Sequence, residues 1–174
     1  PPPHRRRWGS TRLGYGYLAD DGVDAFLQKA ADNGIQVFRI FDALNDLRNL
    51  ETAMKAVKEA GKHAQGTICY TTSPVHTPEL FVKQAQELKA MGADSIAIKD
   101  MAGLLTPYAT YELTKAIKSS VDLPLVIHSH ATAGLAAMCQ LKAVEAGADR
   151  IDTALSALPN GHRHPAKETQ VAAV

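Results

Sequence analysis

The stretch TPELFVKQAQELKAMGADSIAIKD, residues 77–100, contains one complete repeat of the fold. Thr77 before Pro78 predicts a helix start, because a hydroxyl caps the first turn and proline needs no donor there. Apolar side chains then recur at the spacing of a packed helix face, at Phe81, Ala85 and Leu88. A glycine ends this helix, and the apolar run 95–99 follows it. The stretch therefore predicts a helix followed by a buried strand.

The same pattern of helix, glycine and strand recurs along the chain. Thr106 before Pro107 repeats the signal of a helix start. Apolar side chains with helical spacing, predicted to form packed helix faces, are Leu113, Ala116 and Ile117, and Leu135, Met138 and Cys139. Glycines that close helical stretches are 27, 31 and 55 residues apart, at Gly34, Gly61, Gly92 and Gly147. The last gap is about two periods, and Asp122-Leu123-Pro124 marks the boundary inside it. A period of this length is typical of the βα repeat of a parallel sheet. Strands are predicted at 37–41, 66–70, 95–99, 125–128 and 150–152.

An even βα period without a GxGxxG turn favours a closed barrel over a doubly wound open sheet. A full barrel needs about 250 residues, whereas this chain has 174 and five to six units. The fold class predicted for residues 9–174 is therefore α/β, a partial TIM (β/α)8 barrel. Residues 1–8, PPPHRRRW, fit no strand or helix and are expected to be an unstructured or foreign lead.

Composition and charge exclude several classes of protein. Nineteen basic and eighteen acidic side chains nearly cancel, so nothing global indicates nucleic acid as a partner. The sequence has no apolar run of membrane-spanning length and no signal peptide, which predicts a cytoplasmic protein without direct membrane insertion. Cys69 and Cys139 form no CxxC pair, so a disulfide framework or a thiolate metal site is not expected.

Two histidines at alternate positions, His128 and His130, follow one apolar run, and Lys99 ends the run before it. Side chains two apart on a strand point the same way, so two imidazoles can bind one divalent ion. Lys99 can supply a third ligand only as a carbamate, formed when its neutral amine adds CO2. Imidazole and oxygen donors suit zinc, with manganese and cobalt as alternatives. All three residues lie where barrel enzymes place their active sites.

Each of these residues also has a structural interpretation. A strand lysine beside an aspartate is often half of an ion pair, and a buried histidine is often only hydrogen-bonded. Arg39 is expected to face the barrel interior against a carboxylate, and Asp42 and Asn45 are candidates to line the mouth. His162 and His164, in the loop after the last strand, are further candidates to approach the site, with His164 the candidate contributor, although loop histidines are commonly exposed.

Five segments in order resemble the carboxyltransferase family of biotin-dependent enzymes. This family contains the α subunit of oxaloacetate decarboxylase, transcarboxylase and the carboxyltransferase domain of pyruvate carboxylase. The segments are LGYGY with ADD at 13–21, VFRIFDALND at 37–46, IKDMAGLLTP at 98–107, HSHATAGLA at 128–136 and DTA at 152–154.

The resemblance implies an enzyme that transfers a carboxyl group between carboxybiotin and pyruvate or oxaloacetate at a divalent metal. Lys99 matches the carbamylated metal-ligand lysine, His128 and His130 match the metal-ligand histidines, and Tyr15 matches a tyrosine near the keto acid. The implied partners are a biotin carboxyl carrier domain or subunit and further copies or subunits in a homo-oligomer or multisubunit complex.

The chain departs from the family pattern at three points, which predict an internal fragment. A first strand that supplies an aspartate ligand is not recognised, and Trp8 stands where an arginine is expected. Some members carry a threonine after the last strand, and others a histidine that His164 matches. The alternatives are a metal-dependent aldolase or Claisen-type relative that shares the HxH, a Schiff-base aldolase acting through Lys99, and an inactive barrel fragment.

Overall fold

A computed structural model describes residues 18–174, together with the backbone of the short segment 4–8. Strands and helices alternate along the chain. The strands are β1 (His4–Trp8), β2 (Val37–Phe41), β3 (His63–Cys69), β4 (Ser95–Asp100), β5 (Leu125–Ser129) and β6 (Arg150–Ile151). The helices are α1 (Asp20–Asp32), α2 (Glu51–Glu59), α3 (Pro78–Ala90), α4 (Pro107–Ser120), α5 (Ala136–Glu145) and α6 (Lys167–Ala173). A 3-10 turn, Leu47–Leu50, precedes α2.

The strands occur in the sheet in their chain order, β1-β2-β3-β4-β5-β6. The pairs β1–β2, β2–β3 and β5–β6 are parallel, and Val37 of β2 is in register with His63 of β3. A parallel sheet in sequential order is the arrangement of a (β/α) barrel rather than of a doubly wound sheet. The α/β prediction is confirmed. Among the described residues, no helix combines the length and the apolar character needed to cross a bilayer.

The prediction that residues 1–8 contain no strand is wrong for 4–8. The backbone of His4–Trp8 pairs in parallel with all five residues of β2. Three consecutive arginines give no apolar pattern, so the sequence carries no strand signal there. The strand depends instead on backbone hydrogen bonds to β2, which any non-proline residue can make.

The chain divides into two compact units, and the first comprises Pro1–Cys69 and Gln84–Ile96. Its core is formed by apolar side chains of α1, α2 and β2, which include Leu27, Phe38, Ile40, Met54 and Val57. Buried Arg39 donates from Nε to Oε1 of Gln65 at 2.5 Å, so an amide oxygen is a partner where a carboxylate was expected. Gln65 in turn donates to Oγ of Ser95 at 3.0 Å.

The second unit comprises Tyr70–Lys83 and Ala97–Val174. The predicted start of α4 is confirmed, since Oγ1 of Thr106 accepts from the Ala109 amide at 3.4 Å with Pro107 in the first turn. Leu113 and Ile117 are buried as predicted, but Met138, predicted to pack on the helix face of α5, is half exposed.

A Gly-Ala-Asp motif precedes a strand in each unit. Asp94 in the first unit accepts from Nζ of Lys58 at 2.5 Å and from the Ala64 amide at 2.8 Å. Asp149 in the second unit accepts from Nζ of Lys118 at 2.9 Å and from the Leu125 amide at 2.8 Å. In both, the carboxylate joins a helix to the first residues of the strand that follows this helix, α2 to β3 for Asp94 and α4 to β5 for Asp149.

Candidate metal centre

Strand β5 directs its histidines to the face that Lys99 of β4 also occupies. Oγ of Ser129 donates to Oδ2 of Asp100 at 3.1 Å, so these two side chains share one face of the two strands. Side chains alternate along a strand, so Lys99, His128 and His130 lie on the opposite face. This is the common orientation that the sequence predicts.

His128 is fully buried, and one of its ring nitrogens is fixed by a carboxylate. Nδ1 of His128 lies 2.6 Å from Oδ2 of Asp152, which follows β6. A carboxylate accepts, so Nδ1 carries the hydrogen and the lone pair is on Nε2. The backbone of Asp152 is held in turn, because its carbonyl accepts from Nε2 of Gln140 at 2.6 Å and its amide donates to Ile127 O at 2.9 Å.

Two further imidazoles are oriented by backbone carbonyls. Nδ1 of His130 donates to the carbonyl of His162 at 2.6 Å, and Nδ1 of His164 donates to the carbonyl of Ser129 at 2.9 Å. A carbonyl oxygen has no hydrogen to give, so both rings carry the hydrogen on Nδ1 and the lone pair on Nε2. The loop that brings these groups is anchored by the Ala131 amide, which donates to Arg163 O at 2.7 Å.

The three rings form one cluster. Nε2 of His128 and Nε2 of His130 are 3.3 Å apart, and one ligand atom from each of His128, His130 and His164 lies within 4.8 Å of the others. Two nitrogens that bind one ion at about 2.1 Å are roughly 3.0–3.4 Å apart at angles from 90° to tetrahedral. Two lone pairs at this distance repel unless a cation or a proton lies between them. The donor set therefore fits a divalent ion such as zinc.

Lys99 is the penultimate residue of β4 and is buried, with 6% of its surface exposed. Its carbonyl accepts from the Tyr70 amide at 2.8 Å, which fixes its backbone at the carboxyl end of the sheet. A lysine is rarely buried to this degree unless it is paired or modified. Its role as a carbamate ligand stays a prediction.

Asp100, beside Lys99, organises the loop that follows β4. Its carboxylate is fully buried and accepts from the Leu104 amide at 2.9 Å and the Leu105 amide at 3.0 Å, in addition to Ser129. Gly103 in this loop has a φ of 72°, and a Cβ there would lie 3.0 Å from the His130 carbonyl. The loop therefore packs directly against the backbone of a candidate ligand.

Two ionisable groups near Asp100, the Tyr70 hydroxyl and the Cys139 thiol, have raised pKa values. Burial raises the pKa of Tyr70, and the negative charge of Asp100 raises it further. Burial likewise raises the pKa of the Cys139 thiol, whose Sγ donates to Leu105 O at 3.2 Å. A buried thiol of raised pKa is a poor metal ligand.

The remaining candidates have other surroundings. Tyr15 lies outside the described residues. The His162 ring is exposed, and this residue contributes its carbonyl to the cluster. Asn45 donates to Cys69 O and accepts from the Cys69 amide, both at 2.7 Å, so its amide joins the loop after β2 to β3. Asp42 accepts from the Leu44 and Asp46 amides of its own loop.

Sequence reasoning missed the roles of Asp152 and Asp100. Both are single aspartates at the end of a predicted strand, and that position is the signal available for them. The pairing of Asp152 with His128, 24 residues away, depends on the register of β5 and β6, in which Ile127 pairs with Ile151.

A parallel sheet in sequential order, with polar side chains gathered at the carboxyl ends of its strands, defines a protein of the (β/α) barrel class. The HMGL-like family model matches residues 35–163, and the chain belongs to this family. It is 54% identical over 95% of its length to a pyruvate carboxylase subunit of Methanocaldococcus jannaschii, and 52% identical over 92% to the methylmalonyl-CoA carboxyltransferase 5S subunit of Propionibacterium freudenreichii subsp. shermanii.

Solved structures agree with these relatives. The carboxyl transferase domain of Rhizobium etli pyruvate carboxylase, solved with pyruvate and biocytin, superposes with a TM-score of 0.95 and 38% identity over 98% of this chain. The chain spans 29% and 32% of the two relatives and 30% of the solved domain. The predicted resemblance to carboxyltransferase and pyruvate carboxylase proteins, and the TIM-barrel fold class, are confirmed.

Proposed function

We propose that the protein carrying this sequence transfers a carboxyl group between carboxybiotin and pyruvate or oxaloacetate. The single observation that carries the proposal is the 3.3 Å approach of Nε2 of His128 to Nε2 of His130, on the strand face of buried Lys99. High identity to pyruvate carboxylase and carboxyltransferase subunits supports the reaction class. The solved domain with pyruvate and biocytin, which is biotin linked to lysine, supports the substrates.

The proposed ligands of the ion are His128, His130 and a carbamate on Lys99. The neutral Lys99 amine forms a bond from Nζ to the carbon of CO2 and releases a proton to water, which leaves an anionic oxygen donor. Zinc is the proposed ion, with manganese or cobalt as alternatives. When bound, such an ion polarises a ketone and stabilises the negative charge of an enolate.

The chain's own residues hold these ligands in place. Asp152 keeps Nδ1 of His128 protonated, and the His162 carbonyl does the same for His130, so both rings present Nε2 without reorganising. Asp100 holds the loop after β4 against the His130 backbone. Tyr15 is the proposed contact to the keto acid.

The proposed partners are a biotin carboxyl carrier domain or subunit and a homo-oligomer or multisubunit complex. We place the protein in the cytoplasm, because Cys69 and Cys139 are both buried thiols, as expected in a reducing compartment.

The test is an intact-mass measurement of the full-length protein under non-denaturing conditions. We expect the additional mass of one CO2, which Lys99→Ala removes together with carboxyl transfer. Lys89→Ala, at an exposed position of α3, is the matched control and keeps the added mass. A wild-type mass without the added CO2, with metal content and activity unaffected by Lys99→Ala, contradicts the proposal. Borohydride trapping of pyruvate on Lys99 instead supports the Schiff-base aldolase.

A further inference from the structure

We propose that His164 is a third imidazole ligand of the same ion, and that it makes the site selective for zinc or cobalt over manganese. The inference rests on the proposed function, since it concerns the ion at His128 and His130. It adds a ligand from the loop after β6, which lies 34 residues from the HxH pair.

The orientation of the His164 ring is the first argument. Its Nδ1 donates to the Ser129 carbonyl at 2.9 Å, so Nε2 carries the lone pair. Ser129 lies between His128 and His130 in sequence, so one backbone carbonyl fixes the third ring beside the other two. All three rings thus have the same tautomer, with Nδ1 held by an oxygen acceptor and Nε2 as the ligand atom.

The position of the ring is the second argument. The His164 ring centroid lies 4.3 Å from that of His128 and 4.8 Å from that of His130. The ligand atoms of the three residues lie within 4.8 Å of one another, so a small shift of a loop side chain brings the third nitrogen to bonding distance.

The loop backbone is built to hold this ring. The His164 carbonyl accepts from the Asn160 amide at 3.0 Å, and the carbonyl of the next residue, Pro165, accepts from the Ala154 amide at 2.9 Å. These bonds tie His164 and the residue after it to the segment that leaves β6. The ring therefore belongs to an anchored turn, as a ligand requires.

A third imidazole changes which ions the site prefers. Imidazole nitrogen suits zinc, cobalt and nickel, whereas manganese and magnesium favour sites dominated by oxygen donors. Without His164, the proposed ligands are two imidazole nitrogens and the oxygen of the Lys99 carbamate, so neither type of donor strongly dominates. His164 shifts the donor set toward nitrogen, and so toward zinc and cobalt.

The test counts imidazoles around the ion by X-ray absorption spectroscopy of the zinc-loaded full-length protein. We expect three imidazoles in the wild type and two in His164→Gln. The matched control is His162→Gln, in the same loop, which keeps the backbone carbonyl and is expected to retain three. In metal competition, His164→Gln is expected to lower the ratio of bound zinc to bound manganese by at least tenfold.

The outcomes separate the two proposals. Two imidazoles in both wild type and His164→Gln, with zinc lost in His128→Gln, overturn the role of His164 and leave the proposed function standing. Wild-type protein that binds no divalent ion overturns both. Three imidazoles in His164→Gln also overturn the inference, because the third ligand then comes from another residue.

Discussion

Strand ends in the two units carry similar polar side chains but use them differently. After β2, Asn45 makes two hydrogen bonds to the backbone of Cys69, and Asp42 accepts from amides of its own loop. After β5, the imidazoles use Nδ1 for protein acceptors and direct Nε2 of His128 and His130 toward each other. Polar groups that donate to and accept from each other, like Asn45 and the Cys69 backbone, hold a loop in place. Nitrogen atoms that direct their lone pairs toward a common point, as in His128 and His130, indicate a site for a bound ion.

The largest effect is expected at the converging pair. His128→Gln removes one Nε2 donor, so we expect zinc content to fall to background and carboxyl transfer to drop by about 10³-fold, as for losing a metal's contribution of several kcal/mol. Elemental analysis and steady-state kinetics of the full-length protein measure this. One bound zinc per protein in His128→Gln would contradict this prediction and show that the contact between His128 and His130 is only structural, as the contacts of Asn45 are.

The carboxylate behind His128 is expected to have a smaller effect. Asp152→Asn keeps the size of the side chain but weakens the hold on the Nδ1 hydrogen, so zinc affinity should fall by about 10- to 100-fold. A chelator competition titration measures the affinity. Asp122→Asn, at an exposed position, is the control and should bind zinc as wild type does. Equal affinities in both variants would contradict the positioning role of Asp152.

The loop after β2, which Asn45 holds to β3, is expected to contribute to stability. Asn45 has a φ of 59°, so Asn45→Gly keeps the backbone favourable while removing both bonds to buried Cys69. We expect a loss of about 2 kcal/mol in the free energy of unfolding, measured by urea denaturation, with zinc content unchanged. If Asn45→Gly loses zinc and keeps the urea midpoint of the wild type, Asn45 belongs to the metal site and the structural role proposed for it is contradicted.

The smallest effect is expected at Asp149, which directly precedes β6 and accepts from the amide of Leu125 at the start of β5. Partial burial opposes its ionisation, but the bonds from the Leu125 amide and Lys118 outweigh it and lower the pKa of Asp149. Because the pKa of Asp149 is lower in the folded protein than in the unfolded protein, its ionised carboxylate stabilises the folded state above the unfolded pKa of about 3.9. This stabilisation is lost as the pH falls through the folded pKa.

Asp149→Asn should therefore be less stable than wild type at pH 7, by under about 1 kcal/mol because the ion pair is partly exposed. The difference should shrink below about pH 4. Thermal midpoints at pH 7 and pH 3 measure it, and a difference that grows with acid would contradict the sign.

Sequence patterns predict most of the fold. The bounds of β2 agree with the prediction, while β3 begins at His63 instead of Gly66. His63 and Gln65 give a polar pattern, yet their side chains bond to Ser95 inside the first unit, at 2.7 Å and 3.0 Å. A strand whose buried face carries a polar network gives little apolar signal. Its start therefore could not be read from composition.

The candidate site is only partly contained in local sequence. His128 and His130 follow from their alternation on one strand, because that spacing fixes their common face. The partners of their Nδ1 atoms, Asp152 and the His162 carbonyl, come from segments 24 and 32 residues away. Their pairing requires the register of β6 and the path of the following loop, which no local pattern specifies.

The most direct test of the central claim is anomalous X-ray scattering at the zinc edge from crystals of the full-length protein grown with zinc. We predict one strong peak between β4 and β5, about 2.1 Å from Nε2 of both His128 and His130. No peak at these two nitrogens, with zinc present in the crystal, would contradict it.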